Sequence, residues 1–152
     1  MGKAKVVHYI NQFFAGIGGE EKADIKPEVR TGVVGPGMAL QQGLGEDAEI
    51  VATIICGDSY FNENVEEASA AILDMIKEHN PDLFIAGPAF NAGRYGVAAA
   101  TICSIVQKEL GIPTLTAMYE ENPGSELFKK ELIIVPTKNS AAGMRDAVKK
   151  MV

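Results

Sequence analysis

Apolar positions along the chain fall into two rhythms that alternate from the first residues to the last. Short runs of β-branched and aromatic residues read as strands, at Lys5 to Ile10, Glu49 to Cys56, Leu83 to Ala86, Thr114 to Tyr119 and Leu132 to Val135. Between them apolar residues recur at helical spacing. Ala68, Ala71, Ile72, Met75 and Ile76 mark a helix over Val65 to Glu78, with Asn64 as its cap, Glu66 and Glu67 in its first turn and Lys77 and His79 near its end. Val97, Ala98, Ile102, Ile105, Val106 and Leu110 mark a second helix over Val97 to Leu110, which Gly111 stops. A short helix is expected over Met38 to Leu44 and a closing one over Ala141 to Met151, capped by Asn139 or Ser140. Lys26 to Gly37, with Pro27, Gly32, Gly35 and Pro36, reads as extended or irregular.

Strands that alternate with helices need crossover connections, and crossovers make a mainly parallel sheet. The expected fold is therefore α/β, a three-layer αβα sandwich around about five strands, Rossmann-like or flavodoxin-like. The 152 residues suit one domain, 1–152, with no linker or internal repeat. An apolar content of 47% excludes a disordered chain, and no apolar run approaches a membrane span. The first residues carry no export signature, so a cytoplasmic protein is expected. The net charge of −6 lacks the basic footprint that nucleic acid or an anionic membrane requires.

In a parallel sheet the loops after the strands collect at one edge, where open α/β sheets hold ligands. Those loops are Cys56 to Asn62, Gly87 to Gly96 and Tyr119 to Gly124, with Asn11 to Gly19 as a fourth. Cys56 would be a nucleophile or redox thiol if a cation or helix N-terminus lowered its pKa, or a small core residue that finishes its strand; the second reading is preferred. Asp58 could take a ligand amine or simply shape a turn, and Asn62 shares its loop. Asn91, Arg94 and Tyr95 lie in the second loop, where the Arg94 fork suits a carboxylate or an acidic partner and equally a plain surface position. Tyr9, Phe13, Phe14, Phe61 and Phe90 either line a pocket or fill the core. His8 reads as a satisfied core or edge histidine, and Cys103 as a packed thiol. The glycines from Gly16 to Gly19 precede Glu20, Glu21 and Asp24, which would repel a phosphate. No metal motif, nucleophile elbow or P-loop is present in the sequence.

Five blocks go further than spacing does: Val7 to Ala23, Val34 to Gly37, Ile55 to Asp58 with Tyr60 to Asn64, Gly87 to Gly96, and Asn139 to Met144. Together they resemble the amino-terminal part of the selenoprotein subunit of the glycine, sarcosine and betaine reductases, and the resemblance runs over essentially the whole chain. It implies part of an oxidoreductase, component B of a complex that holds an amine substrate and reductively cleaves its C–N bond. The family's cofactors are a selenocysteine and a pyruvoyl group on a partner subunit. Its further partners are selenoprotein A, which receives the carboxymethyl group on the way to acetyl phosphate, and thioredoxin as electron source. The selenocysteine motif lies in a part of the family chain with no counterpart in these 152 residues, so the resemblance transfers no catalytic residue and no cofactor. It implies a domain, inactive alone, that scaffolds the subunit, helps form the substrate cleft and docks partners. Two readings stand beside it: a small binding domain that holds an amino-acid carboxylate through Arg94 without redox chemistry, and a purely structural contact domain.

Overall fold

The computed structural model describes residues 4–11, 15, 24–34, 41, 48–87, 93–119, 122, 124 and 134–137. Nine elements follow one another among them: β1 (Ala4–Asn11), β2 (Glu28–Thr31), β3 (Ala48–Cys56), α1 (Asp58–Glu63), α2 (Val65–His79), β4 (Leu83–Ala86), α3 (Gly93–Leu110), β5 (Thr114–Tyr119) and β6 (Ile134–Thr137). They build one sheet of six strands in the order β2-β3-β1-β4-β5-β6. Every pair is parallel except β2 with β3. The α/β fold with a mainly parallel sheet is as the alternation predicts.

The strand count rises from five to six because Glu28 to Thr31, within the stretch expected to be extended or irregular, pairs antiparallel along β3. Pro27 precedes this strand and is compatible with an edge position. β6 is described from Ile134, within the expected strand, runs on to Thr137 and includes Pro136, which pairs with Met118 at the opposite edge of the described sheet, where a missing N–H is tolerated. Leu132 and Ile133 lie outside the described residues. So do the closing helix expected over Ala141 to Met151 and, apart from Gln41, the short helix at Met38 to Leu44. Gln41 clamps the start of β3, donating to the Ala48 carbonyl at 2.9 Å and accepting from the Ile50 amide at 2.7 Å.

Connection geometry explains where the helices lie. From β3 to β4 the chain steps across β1, and from β4 to β5 it continues the same way. Right-handed crossovers therefore put α2 and α3 on one face, where they touch each other and share a core. On that face Val7, Tyr9, Ile54 and Phe84 meet Phe61, Ile72 and Ile102, all fully buried. The opposite side of β1 is no more open, since Val6, His8 and Ile10 are also fully buried. An inner parallel strand is covered on both faces, and β1 and β4 are.

Two boundaries differ from the sequence pattern, and both bear on the site. Asp58 to Glu63 forms a helical turn and a half instead of a loop, because Gly57 is extended and accepts from the Phe61 amide at 3.0 Å while the Phe61 ring is anchored in the core. Asn64 holds the cap position of α2, but its side chain donates backwards to the Tyr60 carbonyl at 3.2 Å, closing α1 rather than capping α2. At the other boundary α3 opens at Gly93, so Arg94, Tyr95 and Gly96 belong to its first turn and not to a loop.

Candidate functional site

Parallel pairing forces strand ends into line, and the register shows it: Asn11 stands opposite Cys56, Tyr9 opposite Ala86, Ala86 opposite Thr116, and Tyr119 opposite Thr137. The ends of β1, β3, β4 and β5 thus form a common rim. From β1 the chain leaves towards β3 on one side, whereas β4 lies on the other, so the direction of winding reverses between β1 and β4. A crevice at such a reversal is where ligands enter open α/β sheets.

Alternation along β1 turns Tyr9 and Asn11 towards the helices. The Asn11 amide, 4% exposed, donates to an Asp58 carboxylate oxygen at 3.0 Å across the start of α1. Tyr95, in the first turn of α3, is fully buried, and its hydroxyl meets the Asn11 backbone. Tyr9 packs edge-on to Phe61, with ring centres 6.3 Å apart, and tilted against Phe84 at 6.5 Å, while its buried hydroxyl has no hydrogen-bond partner among the described residues. One buried polar cluster therefore ties β1, β3, α1 and α3 together where they converge.

Its electrostatics favour uncharged groups. Burial pushes the Cys56 thiol up to about 12; the neighbouring Tyr9 opposes this and the Asp58 charge adds to it. Burial likewise raises both Tyr9 and Tyr95 well above the usual phenol range, with the neighbouring acidic groups acting in the same direction. Burial at 0% exposure and a raised thiol both favour the packing reading of Cys56 over the nucleophile one. Cys103, unbridged and fully buried, is raised by burial as well.

On the other face of β1, His8 donates from Nε2 to the Gly87 carbonyl at 2.7 Å, and its Nδ1 has no partner among the described residues. Burial lowers its pKa to about 4, so the ring is neutral, as expected of a core histidine. The bond fixes the last carbonyl before the segment that leads to α3.

Of the six candidates from the sequence, the structure brings Cys56, Asp58 and Tyr95 together. Asn62 donates to the Asp58 carbonyl at 2.9 Å and borders an open depression of about 370 Å³ shared with Glu63, Asn64, Val65, Glu66 and Glu67. Arg94 is placed by its backbone in α3, while its side chain and the whole of Asn91 lie outside the described residues. Asn11 and Asn122 fall within two of the candidate loop segments, but sequence reasoning singled out neither. The Asn122 side chain is fully buried against Gly96 and accepts from the Gly124 amide at 2.9 Å. The signal for the latter was there: an Asn-Pro-Gly turn directly after a strand has an amide side chain suited to bonding its own backbone two residues on. Among the described residues no three His, Cys, Asp or Glu side chains could hold a metal, and no helix is long and apolar enough to cross a membrane.

Residues 3–152 match the family model of the glycine/sarcosine/betaine reductase selenoprotein B, GRDB. Over 151 residues, 99% of its length, the chain is 60% identical to the sarcosine reductase complex component B subunit beta of Peptoclostridium acidaminophilum, of which it covers 35%. It is 60% identical over 147 residues, 97% of its length, to the glycine reductase complex component B subunit gamma of Symbiobacterium thermophilum, covering 34% of that protein. Against the betaine reductase complex component B subunit beta of Peptoclostridium acidaminophilum, identity is 44% over 147 residues, 97% of the chain and 33% of that protein. The chain thus spans about a third of the length of the curated relatives it matches. No solved structure matches.

Proposed function

Since the chain belongs to the glycine/sarcosine/betaine reductase selenoprotein B family, we propose that it is the amino-terminal domain of a component B subunit, serving as scaffold, cleft wall and docking surface. One observation carries this reading: alignment over 97–99% of the chain to subunits of three reductases, with only a third of each subunit covered. In this reading the substrate is a small amine, glycine or an N-methylated glycine, and its C–N bond is reductively cleaved by groups outside these residues. The selenocysteine belongs to the remainder of the subunit and the pyruvoyl group to a partner subunit, with selenoprotein A as the acceptor and the cytoplasm as the compartment. Two buried thiols raised by desolvation support placing the chemistry elsewhere, and no step is assigned to a residue of this chain.

The domain's contribution is positional. The Asn11–Asp58 bond and the Tyr95 contact hold the starts of α1 and α3 against the end of β1, and in this reading the contact surface is the start of α3, to whose first turn Arg94 belongs. By its chemistry an arginine fork is suited to a substrate carboxylate or an acidic surface of a partner. Immobilising the chain and offering the pyruvoyl-bearing subunit and selenoprotein A tests this directly. Capture of the pyruvoyl-bearing subunit is expected, weakened by Arg94→Ala without loss of folding. Absence of capture would overturn the docking role, and if glycine, sarcosine or betaine alone then raised Tm, a self-sufficient ligand-binding domain would replace it.

A further inference from the structure

We draw no further inference here: the strongest candidate, the open polar depression where α1 meets α2, lined by Glu63, Glu66 and Glu67, is a cluster of surface carboxylates with no second feature pointing to a ligand, and nothing in the structure shows what covers it.

Discussion

His8 shows what a single inward-facing polar residue costs and contributes in a sheet buried on both sides. Its ring is held neutral, with its pKa lowered from 6.5 to about 4 by burial, and in that form it donates to the Gly87 carbonyl. Because the unfolded chain takes up the proton first, the stability due to neutral His8 is complete above pH 6.5 and is lost as the pH falls towards 4. That difference corresponds to about 3 kcal/mol. Urea titrations across this range should therefore give a steeper fall for the parent than for His8→Gln, which can still donate to Gly87 but takes up no proton; parallel curves would remove His8 from the account. Cys56 yields a second expectation at this scale. With both cysteines fully buried and their thiols raised, iodoacetamide at pH 8 should label neither in the native protein and both in denaturant. Native labelling of Cys56 would favour the nucleophile reading over the packing one.

Asn122 and Gly124, after β5, lie close against Gly96 in the first turn of α3. A Cβ on Gly96 would run into the Asn122 side chain, and one on Gly124 would run into the Gly96 backbone. Gly96→Ala is expected to cost about 1–3 kcal/mol, as overpacking of a filled interior does. Gly124→Ala should cost more, because backbone cannot retreat as a side chain can. Combining Gly96→Ala with Asn122→Ala should cost less than the two single changes summed, and strict additivity would show that the two residues are not in contact. Gly111 is the contrasting case: it ends α3 at φ +68° with nothing near an added Cβ, so Gly111→Ala should lose only the conformational term, about 1 kcal/mol. Of these elements, α2 and β5 were legible from periodicity alone. α1 was not, because six residues are too few to show a period, and its formation depends on Phe61 finding a core to enter.

At the scale of the whole molecule, one sheet joins all six described strands, and both faces of β1 at its centre are buried. A chain built this way should unfold in urea in a single cooperative transition, with fluorescence and circular dichroism coinciding; two separated transitions would overturn the single-domain reading. The sequence by itself determined the alternation of strands and helices, and with it a mainly parallel sheet whose strand ends share a rim. Hydrophobic period and crossover handedness are local rules that need no knowledge of distant residues. The blocks from Val7 to Ala23 and Gly87 to Gly96 likewise carried the family on their own. Tertiary structure alone decided that Asn11 reaches Asp58 across 47 positions, that Cys56 is a packed thiol beside Tyr9, and that Asn122 fills the space Gly96 leaves open. Each of these depends on which surfaces meet and how far water is excluded between them, and a side chain's charge, reach and reactivity are fixed only once its neighbours have arrived.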